Sequence, residues 1–567
     1  MTDPRALRGV LARAVDDVLR DAWPDRMPSG YAAHVGFADD LRFGDLTCRA
    51  ALELAGALRQ SPAVTARAVA GALEGSLPEI SSVTVDGPGF LNFRLSTPYL
   101  VSVADALAVR GLGPLLPRPG EGRRALVEYV SSNPTGPLTV GHCRQAVLGE
   151  SICRLLESVG WSVSREYYFN DAGRQMELLG RSLAARYDEA RGLEAAVPEG
   201  GYNGAYLAGW GTDLLRDRGD GLTWERDGEL FVTTARERAM AMIRGDLDLL
   251  GIRFDRYFRE SELIPGPVEE VIGRLRAVPT PAGPLAYDDP DGSGKVWLRL
   301  TALGRPEDRV IVRSNGMYTY RIPDVAYHVD KFRRGFDLLV DVFGSDHLDT
   351  SRDVRTALEV LVDPAEVEER LKIVIHQFVP LVRAGGKVKM STRAGEFVTL
   401  EDLVREVGSA DVTRYLFLTR RAESHMDFDL DLAATQSVEN PVYYVQYAHA
   451  RISGILRTAE ESGIPEMDAS PAECAALLRG EHERELMRLL ESLPCRIAEA
   501  AAALEPHRIT EMLADLATAF HRFYQHHRVV DPADPRLSSA RLLLCRACRR
   551  GLGGLLEILG VDAPDRM

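Results

Sequence analysis

Apolar residues recur at helical spacing over much of the first hundred positions. Ala50 to Leu58 and Val64 to Leu73 each read as an amphipathic helix, with Pro62 opening the second. The pattern then changes period. Val83-Thr84-Val85 leads into Gly87-Pro88-Gly89-Phe90-Leu91-Asn92-Phe93, a turn followed by an alternating strand. Residues 111–122 are rich in Gly and Pro and read as a linker. A short apolar strand follows at 125–130, then a Ser/Pro/Gly loop at 131–142. Next comes a helix from about Arg144 to Val159, with Val147, Leu148, Ile152, Leu155, Leu156 and Val159 on its inner side. Strand, loop and helix in that order predict a doubly wound α/β unit with a parallel sheet. A charged helical stretch at about 174–250 interrupts it as an insertion. Strand signals return at 310–312, 338–343 and 371–375, and from about Asp431 the chain reads as helical to the end.

At 567 residues the chain is too long for one core, and ordinary domain sizes divide it into roughly three or four. No apolar run approaches the ~18 residues of a membrane span, and the first residues carry no signal-like apolar core. The expectation is a cytoplasmic protein without a membrane partner. The net charge of −15 argues against indiscriminate nucleic-acid binding, although a local basic face remains compatible with it. Seven arginines between Phe520 and Arg550, against Asp531 and Asp534, read on their own as a solvated helix face. Seven scattered cysteines form no framework, and Cys545 and Cys548 read as buried helix positions rather than half a zinc site, so no metal site is expected.

Two stretches carry candidate chemistry. In Pro134-Thr135-Gly136-Pro137-Leu138-Thr139-Val140-Gly141-His142, a Gly/Pro-shaped loop enters a helix. Free N–H groups at a helix start, aided by the helix dipole, form an anion site. Gly136 and Gly141 would allow close backbone approach, while Thr139 and His142 would donate to phosphate oxygens. The second stretch is Lys387-Val388-Lys389-Met390-Ser391-Thr392-Arg393. The chain holds only five lysines, at 295, 331, 372, 387 and 389, and otherwise writes arginine. Two of the five fall here, as compact point charges suited to a polyphosphate.

The run from Val127 through His142 to Arg144 resembles the adenylate-forming signature of class I aminoacyl-tRNA synthetases, in the form carried by arginyl-tRNA synthetases. The family usually has His where this chain has Thr139. Lys389-Met390-Ser391-Thr392-Arg393 resembles the family's K-M-S-K loop, with Thr392 replacing the second lysine. The resemblance implies ATP as substrate, with Mg²⁺ accompanying it. It implies catalytic roles for Thr139, Gly141, His142, Lys389, Ser391 and Arg393. It implies ATP contacts at Pro134, Gly136, Gly141, His142, His376, Gln377, Lys389 and Met390, with Lys389 the main pyrophosphate contact. Gly344-Ser345-Asp346-His347 resembles a further active-site turn.

A guanidinium substrate calls for carboxylates able to accept its planar donors. The family's arginine-binding positions match Glu128, Asn133, Tyr320 and Asp324, the last two on one face of a helical first turn limited by Pro323. Phe90 and Asn92 resemble the family's tRNA-elbow contact, the first stacking on a base and the second reading its edge. The segment 440–451, with Arg451, resembles its helical anticodon-binding bundle. The resemblance covers the whole chain. It implies a Rossmann-type doubly wound α/β catalytic domain at 113–430, an α+β N-terminal domain at 1–112 and an all-α C-terminal bundle at 431–567. The implied activity is activation of L-arginine with ATP and transfer to tRNA(Arg), by a monomer, with tRNA bound before activation. Two rivals remain: a tRNA-binding paralogue without activity, suggested by Thr139 and Thr392, and an adenylyltransferase of the same superfamily acting on a small molecule.

Overall fold

The computed structural model describes residues 7–38, 40, 42–388, 398–466 and 469–567. These residues form two compact units, one of residues 119–436 and 504–507, the other of residues up to 118 with 437–503 and 508–567.

The first unit is built on a parallel sheet of five strands: β1 (Arg124–Glu128), β2 (Ser162–Phe169), β3 (Arg256–Arg259), β4 (Leu338–Gly344) and β5 (Leu371–His376). Their order is β5-β4-β1-β2-β3, with every neighbouring pair parallel. Chain order thus reverses between β1 and β4, and doubly wound sheets bind ligands outside the carboxyl ends of strands at such a point. Leu126, Leu339 and Leu371 share one apolar core with Val271 of helix Gly266–Arg276, Val325 of helix Arg321–Arg333 and Leu358 of helix Leu348–Leu361. Strand alternation sends Ala125, Val127 and Val340 to the opposite face. Helix Val140–Ser158, which connects β1 to β2, packs there. It starts four residues earlier than its apolar pattern indicated, because Thr139 is its N-cap.

β2 had no clear signal in the sequence, since its buried Glu166 breaks the apolar run. Arg334 and the Tyr327 hydroxyl satisfy that carboxylate. The strand signal at 310–312 belongs elsewhere. Arg309–Val312 closes an antiparallel sheet with Ala286–Asp288 and Val296–Leu298. Helices Gly173–Ala190, Ala205–Arg218 and Trp224–Leu249 occupy the stretch between β2 and β3 and pack around Phe231 and Leu183. Among the described residues no helix is long and apolar enough to cross a membrane.

In the second unit, strands Val35–Phe37, Leu46–Cys48, Phe90–Leu95 and Ile80–Asp86 lie in that order in an antiparallel sheet. Gly89 closes the 80–95 hairpin at φ 141°, and a Cβ there would stand 2.8 Å from Pro62. Helix Thr97–Arg110 joins this sheet to the C-terminal helices. Its Tyr99 hydroxyl donates to Glu491 at 3.1 Å, and Arg484 reaches Asp45 at 2.6 Å. The segment read as a linker is partly core, with Leu112, Leu115 and Leu116 buried. The arginine cluster at 522–550 is largely paired: Arg522 with Glu485, Arg528 with Asp531, Arg541 with Glu483, Arg546 with Glu466 and Arg549 with Asp565. Cys545 and Cys548 are buried free thiols.

Candidate active site

The chain leaves β1 through Val130 and Ser131, both left-handed at φ 66° and 42°, a conformation costing about 1–3 kcal/mol per residue. What holds the turn is visible. Ser131 Oγ donates to Glu128 at 2.8 Å and accepts the Tyr168 N–H, while the Tyr167 hydroxyl bonds both backbone groups of Ser132. Asn133 accepts the Asn170 N–H and donates to Gln175. Pro134 is buried. At Gly136 the close approach is made by Tyr206 of the insertion. Its hydroxyl would lie 2.9 Å from a Cβ there, and it donates to Thr135 O. Gly141 has no such neighbour, only Thr139 Oγ1 at 3.8 Å.

At the helix start the Thr139 N–H donates to His142 Nδ1 at 3.1 Å, and the Thr139 hydroxyl lies 3.2 Å from the same nitrogen. Nδ1 therefore acts as acceptor and Nε2 carries the proton. Burial holds the imidazole below its ordinary pKa, so His142 is a neutral donor beside a helix N-terminus. Thr139, expected to donate to phosphate, also orients His142 in this structure.

Across the switch point, Arg144 is 1% exposed and donates to the carbonyls of Gln377, Arg421 and Ser424, fixing the chain beyond β5. His376 is pushed down to about 4 by burial and is neutral. Its Nδ1 lies 3.3 Å from Gln377 O, while its buried Nε2 has no hydrogen-bond partner among the described residues. A Cβ on Gly344 would stand 3.9 Å from Nε2 and 2.5 Å from Asp346, so the turn at 344–347 adjoins this histidine.

A buried charge network lies on the other side of β1. Lys331 is fully buried, with Nζ 2.5 Å from Glu128 and 2.6 Å from Asp341. His328 Nε2 lies 2.8 Å from Asp341, and its Nδ1 lies 2.8 Å from Asp324 O. Burial alone would raise Asp341, but Lys331 and His328 hold it well below the carboxylate range. Glu128, Asp324 and Glu260 are all raised, each chiefly by burial. Tyr168 donates to Glu260 at 2.8 Å, and its phenol also feels Asp324 and Glu128. Glu128 shares the Lys331 ammonium with Asp341, whereas among the described residues Asp324 and Glu260 form no ion pair, an arrangement able to accept a cation. Glu260, Tyr168, Lys331 and Asp341 were not recognised in the sequence as part of this site. Lys331 carried a signal, being one of the five lysines. Tyr320, the N-cap of helix Arg321–Arg333, is 60% exposed, and Arg321 stacks on its ring.

Lys389, Met390, Ser391 and Arg393 lie outside the described residues. The chain just beyond them meets the first stretch directly. Thr399 pairs with Thr139 in an antiparallel bridge, and the Leu400 N–H donates to Leu138 O at 2.8 Å. Among the described residues no group of three or more His, Cys, Asp or Glu is placed to hold a metal ion.

In the other unit, Arg451 stacks on Tyr524 at 4.3 Å and on Tyr447 at 5.8 Å, at the wall of a cavity of about 910 Å³ that His526 and His527 also line. Phe90 is half-buried. Asn92, expected to read a base edge, has a different partner in this structure. It is 4% exposed in the central strand, paired with Thr47 and Thr84, and its amide donates to Asp86.

Residues 7–95 match the arginyl tRNA synthetase N terminal domain, residues 103–199 the tRNA synthetases class I (R) catalytic domain, and residues 445–567 the DALR anticodon binding domain. The chain is 40% identical over 559 residues to an arginine–tRNA ligase of Thermotoga maritima, covering 97% of this chain and all of that one. It is 41% identical over 551 residues to one from Desulfotalea psychrophila, covering 96% of each. The Thermus thermophilus arginyl-tRNA synthetase structure superposes with a TM-score of 0.74 over 99% of this chain and all of that one, at 23% identity, a likeness of fold. With the three family regions in sequence and relatives this similar along nearly the whole chain, it belongs to the arginyl-tRNA synthetases.

Proposed function

We propose that this chain is an arginine–tRNA ligase. The arginine carboxylate attacks the α-phosphorus of ATP, pyrophosphate leaves, and a 3′-terminal ribose hydroxyl of tRNA(Arg) then takes the arginyl group, releasing AMP. One observation carries the reading: Glu128, at the end of β1, lies within electrostatic reach of Tyr168, which also faces Asp324 and Glu260, and the loop leaving that same strand end enters the phosphate-type helix start at His142. The carboxyls accept the guanidinium, whose charge complements theirs, and Asn133 and Tyr320 add further contacts to the substrate. His142 Nε2–H and the free N–H groups of the helix meet the phosphates, and a donor positioned where charge develops lowers a barrier by about 3 kcal/mol. His376 Nε2, without a partner among the described residues and an acceptor beside Gly344, suits a hydroxyl or amino donor of the adenosine, with Gln377 next to it. Lys389, with Met390, Ser391 and Arg393, serves the departing pyrophosphate. Mg²⁺ enters with ATP and is held mainly by the phosphates. Catalysis is positioning plus electrostatics, with no covalent enzyme intermediate.

Tyr447, Tyr524 and Arg451 offer two aromatic faces and a cation to anticodon bases, and Phe90 offers a face to a base of the tRNA elbow. The protein works as a monomer in the cytoplasm. The test is pyrophosphate exchange with each amino acid, with and without tRNA. The expected result is exchange with arginine alone, and only when tRNA is present. Tight tRNA binding without exchange under any condition would replace this reading with the inactive paralogue.

A further inference from the structure

Asp246, on helix Trp224–Leu249 of the insertion, is 4% exposed, and its Oδ2 accepts the Leu138 N–H at 2.8 Å. On its other side Leu138 offers its carbonyl to the Leu400 N–H at 2.8 Å. Both polar groups of one loop residue are therefore taken, one by the insertion and one by the first residue of helix Leu400–Val407. Leu138 immediately precedes Thr139, whose N–H sets the tautomer of His142 and which bridges Thr399. Among the described residues Asp246 has no ion-pair partner. The groups facing it are Glu401 and Asp402 of helix Leu400–Val407, Cys143 of helix Val140–Ser158 and Tyr167 of β2. A buried carboxylate without a counter-ion is costly, and a residue serving only to fill space here would be apolar. Its visible function is to hold the Leu138 peptide.

We infer that Asp246 is a positioning residue for adenylate formation: through Leu138 it holds Thr139 and His142 in register with the helix that follows the lysine-rich stretch, making the helical insertion a working part of the ATP site. This rests on the arginine-activating function proposed above. Burial lifts the Asp246 carboxyl to about 6, so its charged, stronger acceptor form is lost as pH falls through that value. The Cys143 thiol and Tyr167 phenol are pushed up by burial and stay neutral there.

The test compares the full-length wild type with D246A and D246N in arginine-dependent pyrophosphate exchange with tRNA, from pH 5.5 to 8.5. Thermal melting and amide hydrogen exchange at Leu138 accompany it. D246A should lose at least tenfold in kcat, with KM for arginine changed less than threefold, and its Leu138 amide should exchange at least tenfold faster. D246N, whose amide oxygen still accepts that N–H, should recover kcat to within about fivefold of wild type and lose the decline near pH 6. The inference is overturned if D246A keeps kcat within twofold of wild type, or if D246N is as impaired as D246A while both melt normally. If wild type shows no exchange with arginine, the proposed function fails. In that case unchanged Leu138 amide exchange in D246A separately overturns the positioning claim.

Discussion

Replacing Lys331 with Met keeps the apolar stem and deletes the ammonium that Glu128 and Asp341 share. Their oxygens lie 2.5 and 2.6 Å from one nitrogen, hence no more than about 5 Å apart, where like charges at an effective dielectric of about 20 repel by about 3 kcal/mol. Removing one partner from a buried ion pair generally costs about 3–5 kcal/mol, the range expected for K331M at pH 8. His328 still faces Asp341 in the variant, so Glu128 is the carboxylate left without a cation. Burial already raises it, and the loss of Lys331 raises it further. A carboxyl raised above its unfolded value of about 4.5 supports stability below that pH and withdraws it as pH climbs through the folded value. The deficit of K331M should therefore be at least ~1 kcal/mol smaller at pH 5.5 than at pH 8. Urea unfolding at the two pH values measures it. At pH 8 the KM for arginine should also rise at least tenfold, because Lys331 no longer holds the Glu128 carboxylate in its charged form and position. A loss under ~1 kcal/mol at pH 8, or the same loss at both pH values, would refute the reasoning.

Lys389→Ala should lower the turnover of arginine activation far more than arginine affinity, read from pyrophosphate exchange; an unchanged rate rejects its assignment to the pyrophosphate. Glu491, raised to about 7 by burial beside Tyr99, is the opposite case from Asp341. Its contribution to stability is present below the unfolded pKa and lost as pH rises through about 7, a swing of about 3 kcal/mol. Glu491→Gln, whose amide oxygen still accepts the Tyr99 hydroxyl, should melt above wild type at pH 8 and close to it at pH 5. Equal melting of the two proteins at pH 8 counts against it.

Elements written by local periodicity were legible. The helix behind the phosphate-type loop and the 80–95 hairpin follow from spacing and turn residues, and β1, β4 and β5 from short apolar runs. β2 was not, because Glu166 looks like a surface residue until Arg334 and Tyr327 arrive from far along the chain. The 309–312 strand was visible as a strand, but nothing local said which sheet it would join. In the candidate site, Glu128 and Asp324 were singled out through the family motif. Glu260, Tyr168 and Lys331 stand at positions where an isolated charge or phenol reads as solvated. The partners of Asn92 and of the 522–550 arginines were likewise hidden, since acids and amides announce no partner in sequence.

The amino-acid sequence by itself determined the family, the order of elements and the two motifs at 134–142 and 387–393. Those features reside in residue type and short-range spacing. Only the tertiary structure decided how they meet: that Leu400 hydrogen-bonds Leu138, that Lys331 lies between Glu128 and Asp341, and that Asp246 reaches in from the insertion. Burial is the reason. It excludes the water that would screen each charge in an extended chain, so a carboxylate's pKa and partner depend on what packs against it.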